Sequence, residues 1–227
     1  MKRIILRVAL VVAPLLTQIT ASYAQLGVNI GSTPQGINFM GEVDPKLKGS
    51  PYLFDSWAKG SVLLEDGKSY NDLALMYDVL ADRVIFKSDL GKMQAFSVRV
   101  KEFTVDLEGG NQTFRSGFPA IDGGTINSYY HILTDGNTKF LKKISKQITE
   151  GIEPGDITMS KKLQNNVKYY IFIDNKLLRV KKDKKAILSL LNSKASADLE
   201  NYISSNKLNL KNEDDIVKLI NYYNRLA

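Results

Sequence analysis

The chain has 227 residues, with 31 Lys and Arg against 24 Asp and Glu for a formal charge of +7, a single histidine and no cysteine. Without thiols there is no disulfide, no thiolate metal site and no lipidated cysteine, and one imidazole leaves a zinc ion only carboxylates as further ligands. The length suits one fair-sized domain or two small ones.

Residues 1–24 read as a cleaved export signal. Lys2, Arg3 and Arg7 lead into an apolar run from Val8 to Leu16, and the small residues Ser22 and Ala24 place the cut before Gln25. That run is short for a permanent membrane span, so an uncleaved anchor is the lesser reading. No later segment approaches spanning length. The expectation is an extracytoplasmic protein, periplasmic or secreted and surface-associated, with no transmembrane span after cleavage. Losing three basic residues lowers the charge to +4, from 28 basic and 24 acidic residues. Residues 25–138 carry 10 basic against 14 acidic residues, whereas residues 139–227 carry 18 against 10. Opposite signs in the two halves either mark an interaction face or help two lobes pack.

Residues 25–50, rich in Gly, Pro and Ser, predict an extended leader with a brief edge strand. An antiparallel β domain is expected over 51–125. Val62 and Leu64, then Leu73, Leu75 and Tyr77, then Val84 and Phe86 alternate with period two, and residues 96–107 continue the pattern. Asp66 and Gly67 supply a turn in which glycine accepts a positive φ. Residues 126–183 predict two further hairpins, turning at Asp135 and Gly136 and at Asp174 and Asn175, that either continue the first sheet or form a smaller one. Residues 151–166 between them lack periodicity and read as a surface loop.

In the C-terminal segment, 184–227, the period changes to that of short helices. Ile187, Leu188, Leu190 and Leu191 suit the first, Leu199, Tyr202 and Ile203 the second, and Ile216, Leu219, Ile220 and Tyr223 the third. Asn212 caps the last, with Asp215 placed to reach back to it. The fold class is therefore α+β: mainly an antiparallel β meander, partly closed as a barrel or roll, with short C-terminal helices.

Chemistry-bearing motifs are few. His131 lies in the strand-like YYHIL and reads as a satisfied strand histidine rather than a metal ligand. No G-x-S-x-G elbow, phosphate loop or dinucleotide fingerprint occurs, so no catalytic residue, metal or cofactor is assigned. Glycoside hydrolysis by a pair of carboxylates is the alternative enzyme reading, with Asp106, Glu108 and Asp122 near loop ends as its candidates.

Candidate binding residues fall in three groups. Trp57 is either a stacking platform for a sugar or peptide or a plug over one end of the sheet. Phe114, Arg115 and Phe118, in the glycine-bounded loop 109–124, either hold a ligand or cover an open sheet edge. Lys181, Lys182, Lys184 and Lys185 either contact an anionic polymer or form the solvated start of a helix. An exported protein with no arginine fork beside those lysines is not expected to bind nucleic acid.

The run GSPYLFDSWAKGSVLLEDGKSYNDLALMYDVLADRVIF (49–86) and the ending LLNSKASADLENYISSNKLNLKNEDDIVKLINYYNRL (190–226) resemble segments of an uncharacterised family of exported proteins of Bacteroidetes-type bacteria. The resemblance implies an extracytoplasmic setting and brings no activity, cofactor or site residue with it. The reading is a non-enzymatic extracytoplasmic binding or interaction module. Its expected partner is an envelope protein or an anionic envelope polymer, with peripheral membrane association as one form of it. The alternatives are a carboxylate-dependent hydrolase of envelope glycans and a structural protein that pairs through an exposed sheet edge.

Overall fold

The structure is a computed structural model describing residues 33–39, 47–152, 159–191 and 196–226. The export signal and most of the leader lie outside the described residues. The strands are β1 (Gly36–Asn38), β2 (Leu47–Lys48), β3 (Ala58–Leu64), β4 (Ser69–Asp78), β5 (Arg83–Lys87), β6 (Met93–Phe96), β7 (Val100–Leu107) and β8 (Gly110–Arg115). They continue with β9 (Tyr130–Thr134), β10 (Lys139–Ile152), β11 (Met159–Ile173) and β12 (Lys176–Val180), before the helices α1 (Lys184–Leu190), α2 (Ser196–Ser205) and α3 (Glu213–Leu226).

All the strands belong to one mainly antiparallel sheet in the order β1-β6-β5-β4-β3-β7-β8-β9-β10-β11-β12, with β2 pairing parallel to β11. The two later hairpins therefore continue the first sheet, and the sheet does not close. Its terminal strands are short, three residues in β1 and five in β12, which limits the edge offered for strand pairing.

The predicted alternation places its residues as expected. Val62, Leu64, Leu75, Tyr77, Val84 and Phe86 are buried with Phe103, Phe114 and Tyr129 in an N-terminal core. The β11–β12 turn shows why Asp174 and Asn175 occur there: both have positive φ, 50° and 58°, as a two-residue turn of the primed type requires. The β9–β10 turn has a second constraint. A Cβ on Gly136 would lie 2.5 Å from Nδ2 of Asn224, whose side chain bonds both N–H and C=O of Thr138 at 2.8 Å. Glycine there lets α3 seat against the turn.

The helices cover one face of the C-terminal half. Ile187, Leu199, Ile203, Ile216, Leu219, Ile220 and Tyr223 pack with Phe140, Ile171 and Val180. Asp183 caps α1 by accepting from Ala186 N at 2.8 Å, and Asn212 caps α3 by accepting from Asp214 N at 3.0 Å. Asp215 departs from the expected capping box. Its carboxylate accepts from the Asn209 N–H at 3.0 Å, fixing the α2–α3 connection rather than the cap residue.

Two expected loops are strands instead. Residues 159–166 belong to β11 and 151–152 to β10, while 153–158 lie outside the described residues. The register Ile144↔Val167, Ile148↔Leu163, Ile152↔Met159 puts these six apolar residues on one face of a two-stranded arm. Polar Lys146, Glu150, Lys161 and Asn165 share that face, so the apolar residues recur every fourth position and hide the period of two. Likewise, residues 110–115 of the proposed loop 109–124 form β8, paired with β7 from Leu107↔Gly110 to Glu102↔Arg115.

Candidate functional site

The sequence candidates do not meet at one place. Phe114 is 1% exposed, stacked on Phe103 at 4.8 Å and on His131 at 4.9 Å between ring centroids. Phe118 is also buried, edge-on to Tyr130 and Phe172 on the sheet face away from the helices. Both are core residues, which corrects their reading as ligand contacts: no ligand reaches a ring already enclosed by its neighbours. Arg115 is engaged by Glu102 and by Asp135, the latter at 2.9 Å. Trp57 is partly buried just ahead of β3, neither an open platform nor a member of the N-terminal core.

Lys181, Lys184 and Lys185 are exposed where β12 hands over to α1, whereas Lys182 sits 4.9 Å over the Tyr169 ring. Among the described residues no carboxylate pairs with Lys181, Lys184 or Lys185.

A concave site formed by described residues lies outside those candidates. Period two along β10 and β11 places Lys143, Ser145 and Gln147 beside Asn166, Lys168 and Tyr170 on the sheet face away from the helices. Here Lys143 and Lys168 are directly opposite each other, an arrangement that like charges disfavour. The β4–β5 turn reaches over from the N-terminal half, as does the turn at Ile121–Gly124. Together these elements line a cavity of about 230 Å³ that includes Asp82, Asp122, Ser128, Tyr130 and Lys146.

Asp82 is the hinge pin of this arrangement. It adopts a positive φ of 53°, a conformation that aspartate tolerates better than most side chains. Its carboxylate accepts from Tyr77 Oη at 2.5 Å and from Lys143 Nζ at 2.5 Å, and from Tyr129 N at 3.4 Å. Burial holds Lys143 below the ordinary lysine range even though Asp82 pulls the other way. Arg179 with Asp122 at 3.5 Å and Lys139 with Asp135 also cross between the halves among the described residues. In each of the three pairs the acid comes from residues 25–138 and the base from residues 139–227. The pairs of Lys143 with Asp82 and of Arg179 with Asp122 thus join an acidic segment to a basic one, while that of Lys139 with Asp135 spans the β9–β10 turn.

Those pairs leave the cavity with a cationic surplus. Lys143 and Lys168 share the cavity face with Asp82 and Asp122, and since Asp82 pairs with Lys143 and Asp122 with Arg179, the Lys168 charge is in surplus; Lys146 borders the cavity from the other face of the arm. Lys146 Nζ is taken up by the Ser50 carbonyl at 2.7 Å and by that of Tyr52, and burial lowers its pKa. Lys168 has no ion-pair partner among the described residues. Burial, with the charges of Asp82 and Asp122, pushes the Tyr130 phenol up to about 12, and burial with its bond to Asp122 raises Tyr170 as well. Both phenols stay protonated near neutral pH, and Tyr170 donates to Asp122 at 3.0 Å.

Another hollow, of about 380 Å³, also borders Asp82. Its cations are already occupied: Arg83 lies 4.1 Å over Phe39, and Arg99 binds Glu65. That leaves the 230 Å³ cavity as the better anion site.

His131 departs from the satisfied strand histidine of the sequence reading. It is half-buried and stacked on Phe114, and its shielded Nδ1 has no hydrogen-bond partner among the described residues. Burial, then the charge of Lys142, lowers its pKa to about 4, against a weaker upward pull from Glu213. A histidine depressed from 6.5 to about 4 binds more protons in the unfolded chain between those values, so it contributes stability above pH 6.5 that is lost as pH falls toward 4. Urea denaturation across this range is expected to show a steeper acid loss for the wild type than for His131→Phe. Equal slopes would exclude His131 as the group responsible.

No protein-family model matches the chain, and no curated protein or solved structure matches it either. Among the described residues no helix is long and apolar enough to cross a membrane.

Proposed function

We propose that this protein is a non-enzymatic binding module working outside the cytoplasm, and that it holds an anionic group of an envelope protein or polymer in the cavity between its two halves. The supporting observation is the direct opposition of Lys143 and Lys168 in a polar cavity, with Lys168 left uncompensated. Placing like charges opposite each other costs stability, and departures from local rules of this kind concentrate at functional sites.

Glycan hydrolysis is a second reading, because Asp82 and Asp122 line the same cavity. It needs one carboxyl free to carry a proton and another free to attack or to activate water. Asp82 is instead bound by Lys143 and Tyr77, and Asp122 by Tyr170 and Arg179. Binding is the better account of carboxylates so engaged.

Fractionating the native host and washing its membranes at low and high salt tests the proposal. The mature protein is expected to sediment with the envelope at low salt and to be released at high salt, where charge-held contacts are screened. Lys168→Gln is expected to shift it to the soluble pool at low salt. A variant and wild type that partition identically would remove the cavity from envelope attachment.

A further inference from the structure

The mixture of groups in the cavity narrows the chemistry of what it takes. This step rests on the reading of the cavity as an anion site. Lys168 and Lys143 supply attraction, yet Asp82 and Asp122 share the same lining and repel a second negative charge. A dianion such as phosphate therefore loses much of what the lysines offer. Between the charges stand neutral hydrogen-bonding groups: the hydroxyls of Ser128, Ser145 and Tyr130 and the amides of Gln147 and Asn166. The Ser128 hydroxyl accepts from the Thr125 N–H at 3.1 Å, leaving its own proton to donate. Asp122 is an acceptor suited to a ligand hydroxyl.

The size agrees with this chemistry. At about 230 Å³ the cavity is smaller than those that enclose drug-sized ligands, roughly 300 Å³ and above, and fits one ring rather than several. Gly124 keeps it open, since a Cβ there would sit 3.2 Å from Tyr130 Oη and 3.4 Å from Ser128 Oγ. The lining mixes polar and apolar surface in nearly equal measure, Val79, Leu80 and Ile121 being among its apolar side chains.

We propose that the cavity binds a singly charged, hydroxyl-rich ring, a uronic-acid residue of an acidic glycan, with the carboxylate at Lys168 and Lys143 and the hydroxyls at Asn166, Ser128 and Asp122. Such a ligand carries one negative charge for the surplus lysine and hydroxyl donors for the aspartate.

Backbone amide shifts of the mature protein, titrated with trigalacturonate, with maltotriose as a neutral sugar of equal length and with inorganic phosphate, test this. Trigalacturonate is expected to move the amides of Gly123, Gly124 and Asn166, with at least about tenfold tighter binding than either control. Lys168→Gln is expected to reduce the tenfold preference over maltotriose to about twofold or less, with a thermal midpoint at or above that of the wild type because the opposed charge is removed. Phosphate binding as tightly as trigalacturonate would overturn the sugar assignment and leave a plain anion site. Maltotriose binding equally well would overturn the role of charge. If neither anion moved these amides, the anion reading itself would fall.

Discussion

Replacing Asp82 with asparagine is expected to cost about 3 kcal/mol of folding stability, because it removes the carboxylate that pairs with the largely enclosed Lys143 ammonium. Asparagine keeps an oxygen for Tyr77 and tolerates the positive φ, so the loss reports the charge rather than the backbone. Lys143→Met is expected to cost only about 1 kcal/mol or less, since an apolar side chain replaces the buried cation while Asp82 retains Tyr77 and the Tyr129 N–H.

The pH dependence of the Asp82→Asn variant sharpens this test. Lys143 is already depressed in the folded protein, so the unfolded chain binds more protons between its folded and unfolded pKa, and stability rises with pH across that window. Without the Asp82 charge the depression deepens and the window widens toward neutrality. The variant's deficit is therefore expected to shrink between about pH 7 and about pH 10, as the unfolded lysine approaches its ordinary pKa. Chemical denaturation at both pH values measures it, and a deficit that grew with pH would contradict the assignment.

Phe114→Ala is expected to cost about 3 to 5 kcal/mol, the range for deleting a buried aromatic side chain that its neighbours do not collapse to replace. Phe114 sits among Tyr77, Phe103 and His131, and all but 1% of its surface is covered. The urea midpoint should fall steeply. An unchanged midpoint would return Phe114 to the role of an accessible ligand contact.

The sequence patterns that survive into the structure are those in which one face of an element is buried and the other wet. Val62, Leu75 and Phe86 revealed their strands because the buried face stayed apolar without interruption, and Ile216, Leu219, Ile220 and Tyr223 revealed α3 for the same reason. The arm formed by β10 and β11 hid itself because lysine, glutamate and asparagine interrupt its apolar face. Val167, Ile148, Ile152 and Met159 on it remain 44%, 49%, 63% and 67% exposed, so burial had imposed no regular alternation to read.

The site was harder to see than the fold. Phe114 and Phe118 attracted notice because glycines surround them, yet glycine spacing records turns and says nothing of where the intervening rings point. The cavity joins residues 79–82, 121–130, 143–147 and 166–170, which only the curl of the sheet brings together. One signal was present: the opposite charges of the two halves. It pointed to ion pairs crossing between them, and Asp82 with Lys143 is the most enclosed of these.

The central claim is that the cavity, and not the lysine cluster at the start of α1, carries the anionic partner. Binding of soluble polygalacturonate at fixed ionic strength separates the two, using Lys168→Gln and a second variant with Lys181, Lys182, Lys184 and Lys185 all changed to glutamine. Losing one charge-assisted contact is expected to weaken binding about tenfold or more in Lys168→Gln, while the fourfold variant stays within about twofold of wild type. The reverse pattern, with binding lost in the fourfold variant and kept in Lys168→Gln, would contradict the account and place the contact at the start of α1.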